Sequence, residues 1–312
     1  LGSGSLGTAL TTGTDNVAVG ENAGDALTSG SDNTFVGDEA GGATTTGANN
    51  IAIGSAALDG NTTASDNIAI GINALGASNT SANNVAIGSG AMDANTGGSG
   101  VAIGKDALGA NTTGGSNTAV GYVALTANTT GSGNVAVGAG ALDAATTANN
   151  NTAVGADSLS AATTGHSNTA VGKEAGEALT TGVSTVFIGS GAGEAATTGD
   201  YNVAVGSEAL TALTTASNNT AVGYAALTAI TTGDRSVAVG TNAADAIVSG
   251  GRNNAIGYNA LGADTLGSRA VALGYGALQT QNFTTATDNY NVGLGYNAGG
   301  AITTGTLNTG VG

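Results

Sequence analysis

The chain carries few of the side chains that perform acid–base, nucleophilic or metal chemistry. His166 is its single histidine, and its 312 residues include no cysteine. Nucleophilic catalysis of the Ser-His-Asp or Cys-His type needs a histidine beside the nucleophile, and a zinc site needs several histidine or cysteine ligands. Composition therefore argues against all of these sites, and we expect a protein that is not an enzyme.

Aspartates that recur along the chain are a second group of candidate residues for catalysis or metal binding. Paired carboxylates can act in acid–base catalysis, and calcium prefers carboxylate and carbonyl oxygens. Five aspartates occupy one position of the repeat described below: Asp25, Asp59, Asp93, Asp143 and Asp245. They fall in separate repeats, and the GGxGxDxUx pattern of calcium-binding rolls is absent. We expect solvated surface acids and no cofactor, with calcium left open as an alternative.

The last third of the chain holds a further group of candidate residues. Three arginines 17 residues apart precede three tyrosines on successive repeats, next to an insertion within 279–290 that contains a phenylalanine: Arg235, Arg252, Arg269, Tyr258, Tyr275, Tyr296 and Phe283. A column of like charges is costly unless it is partnered. The partner is either an anionic glycan or protein ligand, or acids such as Asp234 on another chain. Of the two, the inter-chain pairing is favoured.

A 17-residue repeat determines where all these groups lie. Its most regular element is the glycine that follows each AVG-like or AIG-like strand, and 18 such anchor glycines run from Gly20 to Gly312. Of the 17 intervals between them, 15 are 17 residues long; the others are 16 residues after Gly88 and 21 residues after Gly274. We expect one continuous domain, 1–312, with no linker, as part of a longer fibre.

The consensus within the repeat predicts short strands joined by turns. It has the form G-x-x-A-L-x-A-x-T-T-G-x-x-N-[VT]-A-[VI], as in 121–137. β-Branched residues around a small Ala predict a strand before the anchor, an Ala-Leu patch follows it, and the Thr-Thr-Gly and Gly/Ser/Asn/Asp clusters predict turns. A coil of this length has room for two or three strands but not for a helix pair. The predicted fold class is all-β: a parallel β-solenoid of about 18 coils, 17 residues per coil.

Stacked coils place like residues in lines along the stack. An asparagine stands four residues before most anchors, and we expect its amide to hydrogen-bond along the stack rather than to bind a ligand. This predicted asparagine ladder includes Asn50, Asn67, Asn84, Asn117, Asn134, Asn151, Asn168, Asn202 and Asn219. The Ala of each strand forms another line, facing either neighbouring chains or a thin coil interior. Thr-Thr pairs such as Thr129 and Thr130 are expected in turns, with an ice-binding hydroxyl array as the less favoured alternative.

Composition limits the classes of partner. With 56 Gly, no Pro, no Trp and 3% aromatic residues, the chain has too few large side chains for an ordinary compact core. Its formal net charge of −16 would repel nucleic acid and anionic membranes. No apolar run reaches the roughly 18 residues of a membrane-spanning helix. We therefore expect neither nucleic-acid binding nor membrane contact by this segment.

The strand motifs NTAVG, NVAIG and NIAIG, followed by xxAL, resemble the head repeats of trimeric autotransporter adhesins over residues 4–312. The longer NTAVGYxAL…NTTG form is also similar to repeat regions of phage tail-fibre-like proteins and large bacterial surface proteins. The resemblance implies a left-handed parallel β-roll in each chain, with three rolls packed side by side. The repeat is longer here than adhesin head repeats usually are.

Composition, repeat and resemblance together predict a structural and adhesive segment of an extracellular fibre, on a cell surface or a virion appendage. The resemblance implies a homotrimer that presents a long surface to a glycan or protein. The alternatives are a self-assembling filament or sheath subunit, whose partner is another copy of itself, and the shaft of a phage tail fibre.

Overall fold

The computed structural model describes residues 3–77 and 80–312. It divides into two compact units, one ending at Asn151 and the other spanning Thr152–Gly312. Each unit is all-β and consists of parallel coils with a 17-residue period, which confirms the predicted fold class. A single continuous array over 1–312, a left-handed coil and a trimer stay predictions.

Most coils contribute one strand of three residues. The first unit contains β1 Val17–Val19, β2 Thr34–Val36, β3 Ile51–Ile53, β4 Ile68–Ile70, β5 Val85–Ile87, β6 Val101–Ile103, β7 Thr118–Val120 and β8 Val135–Val137. The second contains β9 Thr152–Val154, β10 Thr169–Val171, β11 Val186–Ile188, β12 Val203–Val205, β13 Thr220–Val222, β14 Val237–Val239, β15 Asn254–Ile256, β16 Gly267–Ser268, β17 Val271–Leu273, β18 Thr287–Asp288, β19 Val292–Leu294 and β20 Thr309–Val311. None of the described residues belongs to a helix long and apolar enough to cross a bilayer.

Within each unit the three-residue strands pair in parallel, each with its equivalent in the next coil. In the β7–β8 pair Ala119 lies opposite Ala136. The 16-residue coil keeps this register between β5 and β6. The 21-residue coil keeps it too, because Val271 pairs with Val292 while β16 and β18 form a separate short pair beside the insertion. Both length changes are therefore absorbed outside the main strands.

The Ala-Leu segment of the coil is a run of turns, so the expectation of two or three strands per coil is wrong for most coils. The second and fourth residues after the anchor glycine have left-handed backbone, as at Val123 (φ 50°) and Leu125 (φ 53°). An extended strand needs φ near −120° at every residue, so this alternation excludes one. The coils still bond to each other in the segment, since Leu125 N donates to Ala141 O at 2.9 Å.

The anchor glycine is required by conformation and by space. Gly121 has a φ of +144°, a value that side chains with a Cβ rarely adopt. A Cβ at this position would lie only 2.4 Å from the carbonyl oxygen of Gly138 in the next coil. Any other residue would push neighbouring coils apart, which explains why the triplet ends in glycine at each repeat.

The interior of each coil is a thin layer of small residues. The strand alanines, such as Ala136 and Ala204, are fully buried within their own chain. The line of alanines therefore faces the coil interior, the second of the two places that the sequence allowed. Ala124 and Leu125, on the turn segment, are buried as well. Small side chains let the walls of the coil approach closely, and this is how a chain with few aromatic residues forms a core.

Candidate functional site

The outer face of the sheet is a regular, partly exposed surface in each unit. Successive residues of a strand point to opposite faces, so the first and third residues of each three-residue strand point away from the buried middle residue. We call these outward residues, mainly Val, Ile and Thr, the outward stripe. Ile103, Val171 and Ile188 on the stripe are each 37 or 38% exposed. No charged residue occupies either stripe position in any three-residue strand, although the chain has a net charge of −16.

The predicted asparagine ladder runs inside both units. Asn134 Nδ2 donates to Ala148 O at 2.8 Å, and Asn134 Oδ1 accepts the backbone N–H of Asn151 at 3.0 Å. In the second unit Asn202 makes the same two bonds, to Ala216 O and from Asn219 N. Equivalent pairs are made by Asn50, Asn67, Asn117, Asn168 and Asn219, while Asn84 and Asn151 each donate to the Oδ1 of the preceding ladder residue. These amides are buried and bonded between coils, so they do not face a ligand.

A second, shorter asparagine ladder lies in the first unit, and sequence analysis missed it. Asn111 Nδ2 donates to Asn95 Oδ1 at 2.6 Å, and Asn128 Nδ2 donates to Asn111 Oδ1 at 2.7 Å. The ladder ends at Asn128, whose buried Oδ1 has no hydrogen-bond partner among the described residues. Ala145 occupies the equivalent place in the next coil; it has no side-chain donor, and its backbone N–H bonds to Leu142 O. The sequence pattern that could have predicted this ladder is an asparagine directly before a threonine at the equivalent position of three successive repeats.

The first threonine of most Thr-Thr pairs also bonds along the stack. Thr129 Oγ1 donates to Thr146 O at 3.1 Å, and Thr180 Oγ1 donates to Thr197 O at 3.0 Å. These hydroxyl hydrogens are therefore used by carbonyl groups of the next coil. A hydroxyl array that bound ice would need them free, so the turn interpretation fits the geometry better.

One of the three predicted arginines is tied to the insertion. Arg269 Nε lies 2.9 Å from Asp288 Oδ1, and Arg269 Nη1 donates to Tyr290 Oη at 2.9 Å. The guanidinium also lies over the Tyr290 ring, 5.3 Å from its centroid. Insertion residues thus neutralise and cover Arg269.

Arg235 and Arg252 differ from Arg269 in their surroundings. Both are exposed, and neither forms an ion pair within the part of the chain that the structure describes. Asp234, the acid considered from the sequence, instead accepts the backbone N–H of Ser217 at Oδ1, at 2.7 Å. A groove of about 220 Å³ lies beside the two arginines.

The three predicted tyrosines form a stacked row at the other end of the strands. Tyr258 and Tyr275 have ring centroids 5.1 Å apart and planes inclined by 16°; Tyr275 and Tyr296 are 5.2 Å apart and inclined by 13°. Because the rings face one another, the row presents mainly ring edges and hydroxyl groups to solvent. Six residues of near-extended chain separate the arginine position from the tyrosine position, up to about 20 Å at roughly 3.3 Å per residue. The outward stripe therefore lies between two separate rows.

Phe283 does not belong to the exposed surface. It is 5% exposed, and its backbone N–H donates to Asp264 Oδ1 at 3.0 Å. The same buried carboxylate accepts from Gln281 Nε2 at 2.6 Å and from Gly267 N at 3.0 Å. Phe283 thus anchors the insertion to the core and is not available to a ligand.

The fold brings together acids other than the predicted aspartate column. Carboxylate oxygens of Glu174, Glu177 and Glu194 all lie within 4.8 Å of one another, a spacing that a hard cation can bridge. Partial burial, reinforced by the charges of Glu174 and Glu194, raises the pKa of Glu177. In the predicted column, burial raises the pKa of Asp59, with a smaller contribution from the charge of Asp25. The glutamate cluster escaped sequence analysis because its members occupy two different positions of the repeat.

A scan against protein-family models finds none that matches the chain, and a search of curated proteins finds no match either. The class of protein is therefore defined by geometry: a tandem-repeat parallel β-solenoid, consistent with a β-roll. Such a repetitive fold is compatible with a structural fibre segment.

Proposed function

We propose that this chain is a non-catalytic segment of an extracellular fibre, which assembles with copies of itself through the outward stripe and presents its remaining surface for attachment. The observation that carries the proposal is the stripe itself. It is half-exposed, free of charge and repeated at each coil of an otherwise acidic chain. Contiguous exposed apolar surface of this kind is typical of protein–protein interfaces.

A second copy of the chain is the partner that fits the stripe best. Coils of a parallel stack repeat about every 4.8 Å, so two stripes laid side by side match at each coil once they match at one. Covering one half-exposed Val or Ile contributes about 1 kcal/mol, and the contribution repeats along the stripe. Cyclic assembly of identical chains is the common outcome of such a contact. The resemblance of NTAVG-type repeats to trimeric autotransporter adhesin heads supports a homotrimer.

Attachment and extracellular location rest on the same resemblance. The partners proposed for the exposed surface are a surface glycan or protein, and the acidic charge argues against nucleic acid and anionic membranes. A filament or sheath subunit is the second candidate, because a stripe that pairs without closing a ring makes an open-ended assembly. A phage tail-fibre shaft would use the same contact.

The oligomeric mass tests the proposal. Sedimentation equilibrium of the wild-type chain is expected to give three times 29.0 kDa. Replacing Val203 and Val205 of β12 by lysine places two charges on the stripe and is expected to yield folded monomers. The matched control replaces Thr198 and Thr215, exposed in turns, by lysine and is expected to keep the wild-type mass.

Two results decide against the proposed contact. A monomeric wild-type chain would show that the stripe is not an assembly surface. A stripe variant that keeps the wild-type oligomeric mass would show the same. Circular dichroism of each variant verifies that the coils remain folded. Open-ended wild-type polymers would favour the filament over the closed trimer.

A further inference from the structure

Arg235 and Arg252 lie at equivalent positions of adjacent coils, and neither forms an ion pair among the described residues. Equivalent residues of neighbouring coils are about 4.8 Å apart, and like charges at that spacing repel. Each residue has left-handed backbone, with φ of 61° and 60°, and each side chain is exposed. Arg269 completes the column but is paired with Asp288. Two adjacent arginines thus remain available to an anion.

The groove beside these arginines is lined by polar groups. Hydroxyl groups come from Thr232, Ser249 and Ser268, the carboxylate of Asp234 also borders it, and the remaining lining is arginine and glycine. No apolar or aromatic side chain contributes to the lining. A peptide ligand usually needs apolar or aromatic anchors at the centre of its contact. A ligand rich in hydroxyl groups suits this groove better.

A break in a backbone ladder places a free donor in the groove. In this turn a side-chain oxygen of one coil accepts the backbone N–H of the coil before it: Ser217 N donates to Asp234 Oδ1, and Gly251 N donates to Ser268 Oγ at 3.1 Å. Gly251 has no side chain to accept from Asp234 N–H, which forms no hydrogen bond within the described residues. A Cβ on Gly251 would lie 2.8 Å from Asp234 O and 3.2 Å from Asp234 N, so no side chain fits at this position. Asp234 lines the groove, and its N–H is left without a protein acceptor among the described residues.

From these three features we infer that the groove binds a carboxylate-bearing sugar of a surface polysaccharide. The guanidinium groups of Arg235 and Arg252 bind the carboxylate, and Asp234 N–H donates to one of its oxygens. Sugar hydroxyl groups bond to Ser249, Thr232 and the second carboxylate oxygen of Asp234. This inference rests on the attachment role in the proposed function and gives that role a ligand class.

The test uses two carboxylate sugars as probes, oligogalacturonate and sialyllactose, and titrates each into the full chain by calorimetry at physiological ionic strength. At least one is expected to bind. Replacing Arg235 or Arg252 by glutamine is expected to weaken binding about tenfold, the usual loss of one charge-assisted hydrogen bond. The matched control, Arg269→Gln, removes an arginine of the same column that is already paired and is expected to bind as the wild type does.

Neutral dextran and poly-glutamate complete the experiment. The inference is overturned if neither carboxylate sugar binds, if dextran binds equally well, or if Arg235→Gln together with Arg252→Gln leaves affinity unchanged. Tighter binding of poly-glutamate would also overturn it in favour of an acidic peptide. Sedimentation of the same samples separates the two proposals: an intact assembly without sugar binding refutes only the groove, and a wild-type monomer refutes the assembly.

Discussion

The ring of Phe187 occupies the space left by Gly176 in the core of the second unit. A Cβ on Gly176 would lie 2.7 Å from Phe187 Cδ2. Most coils place a leucine and an alanine at these two positions, as with Leu210 and Ala221. The second unit thus has a large strand residue and a small turn residue where most coils have the reverse, and the total side-chain volume of the core stays similar. The first unit repeats the exchange at Phe35 and Gly24.

Truncating this ring tests whether the exchange stabilises the fold. Phe187→Ala is expected to lower the free energy of unfolding by about 3–5 kcal/mol, because it leaves a cavity between Gly176 and Gly193. Adding Gly176→Leu and Gly193→Leu restores the common pattern, and leucine tolerates the left-handed backbone at equivalent positions such as Leu210 (φ 56°). Denaturant unfolding should therefore show recovery in the triple variant. A triple variant no more stable than Phe187→Ala would disprove the compensation.

The end of the short asparagine ladder offers a stabilising change. Ala145→Ser places a hydroxyl donor one coil from Asn128 Oδ1, which lacks a partner in the described chain. Satisfying a buried acceptor is expected to raise the free energy of unfolding by about 1 kcal/mol. Ala196→Ser is the control, since its neighbours in the same column are Leu179 and Leu213 and offer no acceptor side chain. Equal effects in thermal or denaturant unfolding would rule out the ladder explanation.

The buried carboxylate of Asp264 is expected to hold the insertion in place. Asp264→Ala leaves Gly267 N, Phe283 N and the Gln281 amide without their acceptor. Each unsatisfied buried donor costs about 1–3 kcal/mol, so several kcal/mol should be lost. Asp288→Ala removes an exposed ion pair nearby and should cost less than about 1 kcal/mol. Similar losses in the two variants would contradict a special role for Asp264.

Acidification is expected to stabilise the protein at first. Partial burial is the largest cause of the raised pKa at Glu177, Asp59, Asp93 and Asp245. An acid whose pKa is higher in the folded state binds more protons there, so the free energy of unfolding falls as pH rises between the unfolded and folded pKa values. Stability should therefore increase as pH falls from neutral through these raised pKa values.

Glu177→Gln isolates one contribution to this pH dependence. The variant should be more stable than the wild type at neutral pH and less responsive to acid, because its neutral amide is not repelled by the neighbouring glutamates. Glu21→Gln, at an exposed residue outside the cluster, serves as the control. Unfolding curves measured across the acid range check both statements. A steady loss of wild-type stability on acidification from neutral pH would contradict them.

The period of the anchor glycine made the parallel coils and their register predictable. Asparagine at one position of most repeats likewise indicated a ladder, because stacked amides have few other uses in a buried line. The turn at Leu125 was not predictable, since leucine rarely adopts the left-handed backbone conformation that it has here (φ 53°). The sequence also did not determine which face of the strand points into the coil. A small alanine fits a thin core and a close interface between chains equally well, so the structure was needed to distinguish them.

The sites depend on contacts that cross repeat positions. Glu174 and Glu177 are three residues apart, a spacing that places side chains together on a helix but not on the strands predicted here. They meet because the segment after the anchor glycine is a run of turns. Arg235 forms no ion pair among the described residues, and Asp234 accepts the backbone N–H of Ser217 in the preceding coil, a contact that the sequence does not reveal. Contacts between equivalent residues of neighbouring coils could thus be predicted from the sequence. Contacts between different positions of the repeat could not.

Burial of the outward stripe in the native assembly is the central claim, and a thiol probe measures it most directly. The chain has no cysteine, so a single introduced thiol reports on its own position. Val171→Cys lies on the stripe, and Thr164→Cys lies in an exposed turn of the same coil. The account predicts that maleimide labels the stripe thiol far more slowly than the turn thiol, and that lysines at 203 and 205 abolish the difference. Equally fast labelling of both thiols in the wild-type background would contradict it.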